Sequence, residues 1–353
     1  MEAGSPYPYF MGHLLSPEEQ NMKAMIINSI RNLYERGVPL YTKLELKLVA
    51  DQMALYAEGR LPNKTLAVTD LNGRVVQMPV DDSISVFNTP GGTRLKLDEK
   101  PTISYRTIQD LTDEAHSISW NPQNAFLPLN LVFHYHPVDS AGRNLRLSCH
   151  FSVPVLSEIF ANAKKEWEST THYAALKGLF ATHANLHKAR KVVGFALGEL
   201  VWGNQYGRGH DYSLTQYALL LSLRELVMEH SGNVDVPCVA QDPALSTNAI
   251  TALNNAGIGV AEDPYGFLEV DDLTIVVSIS PNIPIKQIIT EIARPVGIIW
   301  IPGSIEEEGN SPITDPTSAR VEAMLDQEYV ELGFPGCELL REAEFYMKNY
   351  VES

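Results

Sequence analysis

From Lys191 to Ile301 the chain alternates short apolar runs with amphipathic stretches, and this repetition constrains the fold more than any other feature. The runs are Val192 to Leu197, Val236 to Ala240, Ile258 to Ala261, Leu273 to Ile279 and Val296 to Ile301. They are rich in Val and Ile and lack period-two alternation, the pattern of strands buried on both faces. Between the first two, Ser213 to His230 carries a broad apolar face suited to covering a sheet. Further helices are expected over Thr247 to Asn255 and Ile285 to Ala293. The pattern predicts a Rossmann-like, doubly wound α/β domain with a mainly parallel sheet.

Upstream, Ser16-Pro17-Glu18-Glu19 reads as an N-cap, a first-turn proline and two first-turn acids, opening a helix to about Arg36. A second amphipathic helix follows from about Thr42 to Glu58. Asn72-Gly73 marks a hairpin between Lys64 to Val68 and Arg74 to Met78. From Asp81 to Pro128 turn residues dominate and no elements are assigned. Strands are expected over Leu129 to Tyr135 and Leu145 to Val153, then helices over Leu156 to Trp167 and Thr171 to His187. Past Ile301, Gly303 to Ser318 reads as an acidic loop, followed by helices around Thr317 to Glu331 and Cys337 to Tyr350. The expected division is an N-terminal α+β extension over 1–150, the α/β domain over 151–301, and an acidic loop with C-terminal helices over 302–353.

Composition narrows the function. A chain of 353 residues with 44% hydrophobic content buries a sizeable core. The net charge of −16 disfavours indiscriminate adhesion to nucleic acid or anionic membrane. Three widely spaced cysteines form no C-x-x-C pair and argue against a disulfide framework or a cysteine zinc site. With no apolar stretch long enough to span a bilayer, a cytoplasmic protein is expected.

The first strand of the α/β domain ends in Gly194 to Glu199, and an unusually long loop containing Trp202, Tyr206 and Tyr212 precedes the next helix. Long loops at this place commonly bind ligand. The loop carries neither a dinucleotide-binding fingerprint nor a phosphate loop, so no NAD or ATP cofactor is expected. Carboxylates gather at the strand ends: Glu199, Asp242, Glu262 and Asp263. On the shared rim of parallel strands they suit a cationic ligand or acid-base work, and Asp242-Pro243 and Asp263-Pro264 equally suit turns. Ser280 follows the fourth strand, where it suits a nucleophile or a helix cap. His134 and His136 share a strand face but find no third ligand nearby, so no metal site is expected. Lys164, Lys165, Lys177, Lys188, Arg190 and Lys191 form the densest cationic stretch, a polyanion contact or a solvated helix face.

Val192 to Ile301 resembles the "sensitivity to red light reduced" domain, the SRR-type domain. The resemblance rests on Gly194 to Gly198, Leu214-Thr215-Gln216-Tyr217-Ala218-Leu219-Leu220, Gln241-Asp242-Pro243, Asn255-Ala256-Gly257 and Thr274 to Ile279. Plant and animal members carry Pro-His-Cys after the fourth strand, where this chain reads Ser280-Pro281-Asn282. The longer layout looks more like fungal members, among them the arginine-containing cyclodipeptide synthases, which join arginyl and a second aminoacyl group from tRNA as a diketopiperazine. The Asp-Asp-x-x-Glu motif associated with those enzymes has no intact copy. The resemblance implies aminoacyl-tRNA as substrate, with Glu199, Asp242, Glu262, Asp263 and Ser280 as catalytic candidates. It further implies Gly194, Gly198, Trp202, Tyr206, Tyr212 and Gln216 as substrate contacts, and Lys164, Lys165, Lys188, Arg190 and Lys191 as tRNA contacts. The alternative is a non-catalytic SRR-type regulatory or interaction protein.

Overall fold

The structure is a computed structural model, described over residues 15–80, 86–88, 94–97, 101–113, 122–132, 134–141, 151–201, 209–303, 314–334 and 338–350. Two compact units divide the chain, 1–146 and 147–353.

In the first unit α1 (Pro17–Glu35) opens on a reciprocal capping box. Ser16 Oγ accepts from Glu19 N at 3.3 Å, and the Glu19 carboxylate accepts from Ser16 N at 2.8 Å. Thr42 caps α2 (Lys43–Ala57) through Glu45 N. The hairpin of β1 (Thr65–Thr69) and β2 (Val75–Pro79) turns on Gly73 at φ +78, while buried Asp70 accepts from the backbone N–H of Asn72 and Arg74 at 2.9 Å. The region without assigned elements contains β3 (Val86–Asn88), β4 (Arg94–Leu97), β5 (Thr102–Tyr105) and α3 (Ile108–Thr112). The strand expected over Leu129 to Tyr135 is two: β6 (Leu129–Val132) pairs with β5, and β7 (Tyr135–Val138) pairs with β4 in another sheet. Most of the strand expected from Leu145 lies outside the described residues, and its last residue, Val153, opens a helix instead.

That helix, α4 (Val153–Glu168), begins the second unit and is followed by α5 (Thr171–Thr182). A seven-stranded sheet is the frame. It is built from β8 (Lys191–Phe195), β9 (Cys238–Gln241), β10 (Gly259–Val260), β11 (Thr274–Ser278), β12 (Gly297–Trp300), β13 (Tyr329–Leu332) and β14 (Glu344–Lys348). Its helices are α6 (Gly209–Ser231), α7 (Thr247–Asn255), α8 (Tyr265–Glu269), α9 (Ile285–Ile292) and α10 (Ala319–Glu328). The strand order is β10-β9-β8-β11-β12-β14-β13. The first five are parallel and the last two antiparallel, so the sheet is mostly parallel. Successive strands step outward from β8 to β10, and the chain then returns to the other side of β8 to lay down β11 and β12. Helices α4 to α7 share one core with Val192, Ile275, Val277, Ile299 and Phe345 of the sheet. Helix α6 is apolar nearly all round because it is buried between sheet and helices, with Tyr217, Ala218, Leu219, Leu220 and Leu223 fully covered.

The second C-terminal helix, expected over Cys337 to Tyr350, is a correction. Glu338–Leu340 makes a short 3-10 turn, Arg341 and Glu342 take φ +49 and +58, and Glu344–Lys348 is strand β14. Two successive left-handed residues stop a helix. Phe345, Tyr346 and Met347 are then buried on both faces between β12 and β13, and a short apolar run of that kind carries no periodicity to separate strand from helix. The 302–353 segment therefore supplies two strands of the main sheet. Among the described residues no helix is long and apolar enough to cross a membrane.

Candidate functional site

The carboxyl ends of β8, β9 and β11 meet where the strand order reverses, the usual ligand position in open parallel sheets. Just past β8, Ala196 takes φ +53 and Gly198 φ +85. A Cβ on Gly198 would stand 2.5 Å from Ser213 Oγ, so only glycine lets the turn approach α6. Tyr217 Oη donates to Gly198 O at 3.0 Å.

Glu199 and Asp242 knit this turn to the neighbouring strand ends. Glu199 Oε1 accepts from Leu200 N at 2.9 Å, and Oε2 accepts from Ser246 N at 2.6 Å at the start of α7. Asp242 Oδ2 accepts from Gly198 N at 2.6 Å, and Oδ1 from Ala244 N at 2.8 Å. Burial pushes the Glu199 carboxyl above its usual range; hydrogen bonds from Ser246 and Leu200 oppose the shift, and the Asp242 charge adds to it. Burial likewise raises Asp242, against the Ala244 and Gly198 N–H groups. The Tyr217 phenol is pushed well up by burial and by the charges of Asp242 and Glu199. These three groups share one electrostatic environment.

The other two acids differ. Glu262 is exposed, and among the described residues its backbone oxygen accepts from Tyr265 N at 2.7 Å. Asp263 accepts from Gln241 Nε2 at 2.9 Å, and Gln241 Oε1 accepts from Gly266 N at 2.7 Å. Gln241, the last residue of β9, thereby fixes the turn that leads into α8. The rim acids do not converge as a set of four: Glu199 and Asp242 form one centre and Asp263 belongs to another contact.

Ser280 does not cap α9. Pro284 occupies the cap position and no side chain bonds the first turn from there. Ser280 is exposed and takes φ +54, on the turn between β11 and α9. A serine in that conformation costs about 1–2 kcal/mol.

Gly194 lies inside β8, where a Cβ would meet Leu197 at 2.8 Å and Leu220 at 3.0 and 3.2 Å; it packs the strand against α6. Trp202 and Tyr206 lie outside the described residues. Tyr212 is half-buried and carries the Arg341 guanidinium 5.2 Å from its ring centre. Gln216 is buried, and its Oε1 has no hydrogen-bond partner.

The cationic residues sit elsewhere. Lys191 begins β8, so a full strand, roughly 13 Å at the usual rise per residue, separates it from the strand end that leads to Glu199. It pairs with Glu269 at 2.9 Å and Asp271 at 3.8 Å. Arg190 donates to the carbonyls of His187 and Ala189, and the Lys188 ammonium stands 3.6 Å from the Tyr350 ring centre. Lys164 bridges Glu168 and Glu225, while Lys165 is exposed. The basic stretch thus occupies the amino edge of the sheet, largely engaged, and does not flank the acidic turn.

Residues 170–333 match the SRR1 domain family model. That segment, just under half of the chain, is similar to the SRR1 domain. The match runs from helix α5 to β13 and so takes in every parallel strand and the Glu199–Asp242 centre. No curated protein and no solved structure matches the chain. Sequence reasoning missed Ser213, Ser246 and Gln241, whose roles depend on contacts between elements; for Gln241 the available signal was its place beside Asp242 at a strand end.

Proposed function

We propose that the SRR1-like domain of this chain is an aminoacyl-transferring enzyme of the cyclodipeptide synthase kind, taking arginine from arginyl-tRNA and joining it to a second aminoacyl group. The observation that carries the reading is Ser280: an exposed hydroxyl held at φ +54 on a strand-to-helix turn, at the carboxyl end of the strand beside the reversal. Strained backbone at an exposed serine is the arrangement that presents a nucleophile above a parallel sheet. The strand order β10-β9-β8-β11-β12, read outward from β8, supports a Rossmann-type, doubly wound description.

In this reading Ser280 Oγ attacks the ester carbonyl of one aminoacyl-tRNA. The ester C–O bond breaks, and the ribose oxygen leaves with the proton that Ser280 gives up. The amine of the second aminoacyl ester then attacks the acyl-serine and frees Ser280. The dipeptidyl ester closes as its own amine attacks the remaining ester and releases the second tRNA. Two esters become two amides, so no ATP is needed, and the protein's contribution is nucleophile and positioning. The cytoplasm, where charged tRNA and reduced thiols such as buried Cys238 occur, is the matching compartment.

The test is to supply purified protein with charged tRNAs and search the products by mass spectrometry for arginine-containing cyclic dipeptides. The reading expects such a product with at least one aminoacyl partner. Intact arginyl-tRNA and no product with any partner would leave the non-catalytic reading, an SRR-type regulatory or interaction protein.

A further inference from the structure

Ser280 stands exposed between buried Ile279 and buried Pro281, at φ +54. That conformation is disfavoured twice over. A side chain on a left-handed residue crowds its own backbone, and a residue that precedes proline is driven toward extended backbone by the proline ring. Pro281 also has no N–H with which to close the turn. The surrounding chain must therefore hold the serine in place.

Residues 314–318, just before α10, do so. Thr314 Oγ1 donates to Pro281 O at 2.6 Å, on the residue that follows the serine. Asp315 Oδ1 accepts from Lys286 N at 2.9 Å in the first turn of α9, and Lys286 Nζ donates to Asp315 O at 3.1 Å. Gln287 Nε2 donates to Pro316 O at 3.2 Å. These bonds join residues 29 or 33 positions apart, so tertiary structure sets them. Asp315, Thr317 and Ser318 are buried although polar, as groups with hydrogen-bond partners can be. Ser318 Oγ accepts from Val321 N at 3.4 Å and ties the far end of the segment to α10. One short segment thus grips α9 by its first turn and the serine turn by a hydroxyl.

We infer that residues 314–318 form a strap that holds the Ser280 turn in its left-handed form, with Thr314 as a positioning residue for the Ser280 hydroxyl. Thr314 acts on the carbonyl one residue beyond Ser280, and a shift of the backbone there carries the serine oxygen with it. Where the protein supplies little beyond a nucleophile and its position, a misplacement of about 1 Å costs up to about 100-fold in rate. As an account of catalysis the strap rests on the transfer reading; as a hold on the turn it does not.

The experiment compares the wild type with Thr314→Val, which keeps the branched shape and loses the hydroxyl, and Thr314→Ser, which keeps the hydroxyl. Hydrogen exchange of the peptide spanning 279–285 is followed by mass spectrometry without substrate, and arginyl adduct formation on Ser280 is timed over a series of arginyl-tRNA concentrations. In Thr314→Val that peptide should exchange about fivefold faster or more, with α7 unchanged. The saturating rate of adduct formation should fall roughly tenfold or more at an unchanged half-saturating concentration. Thr314→Ser should recover both. Equal exchange in Thr314→Val and the wild type, an undiminished saturating rate, a loss carried by the half-saturating concentration alone, or no recovery in Thr314→Ser each overturns the inference. If Thr314→Val misfolds, Thr314→Ala takes its place with the same expectations. A wild type that forms no adduct, while 279–285 still loosens in the variant, removes transfer and leaves the strap. Full-rate adduct formation with unaltered exchange in the variant does the reverse.

Discussion

Replacing Glu199 by Ala should destabilise the second unit by roughly 3 kcal/mol, from the hydrogen bonds its carboxylate makes. Two N–H donors lose their acceptor. Leu200 N lies in a fully buried residue, and Ser246 N opens α7. Each orphaned donor costs about 1–3 kcal/mol, and bonds to a charged acceptor lie at the upper end. Against this, the carboxylate is desolvated, as its raised pKa records, so its removal returns part of the loss. Ser246 keeps its own cap through Ala249 N at 3.2 Å, so α7 itself should persist. For a unit of this size the net corresponds to a midpoint lowered by about 6–12 °C. Calorimetry and denaturant titration on Glu199→Ala and Glu199→Gln measure it, the Gln variant losing less because it keeps one acceptor. A loss below about 1 kcal/mol in the Ala variant would refute a stabilising role for the Leu200 and Ser246 hydrogen bonds.

Because Glu199 and Asp242 have folded pKa values above their ordinary ones, the folded state binds the extra protons. Stability therefore falls as pH rises from the ordinary carboxylate range through the raised values, and Glu199→Gln should flatten that slope in pH-dependent unfolding. Gly198→Ala should cost about 1–2 kcal/mol for its φ of +85 and more for the collision with Ser213 Oγ, with only the second part recovered in a Ser213→Ala double variant by denaturant titration. Ser280→Gly should raise stability by up to about 1 kcal/mol by relaxing the positive φ, while abolishing any serine-dependent transfer. Burial pushes the Cys238 thiol up to about 12, so iodoacetamide at pH 8 should leave it unmodified in the native protein and label it after unfolding.

Much of this was legible in the chain. The Val and Ile runs gave β8, β9, β11 and β12 because strands covered on both faces have no other composition available to them. Ser16, Thr42 and Asn72-Gly73 marked their elements through contacts only a few residues long. Strand β14 was not legible, because a five-residue apolar segment has the same appearance in a helix and in a central strand, and its pairing partners lie far away in sequence. The site divides along the same line. That Glu199 and Asp242 stand at strand ends follows from the alternation, whereas their engagement by Ser246 and Gly198 is set by sheet order. Lys191 and Glu199 are eight residues apart in sequence, yet strand β8 sets them at opposite ends of the sheet.

Aminoacyl transfer through Ser280 at the carboxyl end of the parallel sheet is a proposal open to direct test. Intact-mass and peptide mapping after rapid quenching of the protein with arginyl-tRNA tests it most directly. An arginyl adduct is expected on the peptide containing Ser280, absent in Ser280→Ala together with the cyclic product. Undiminished product from Ser280→Ala, with no adduct on the wild type, would contradict it.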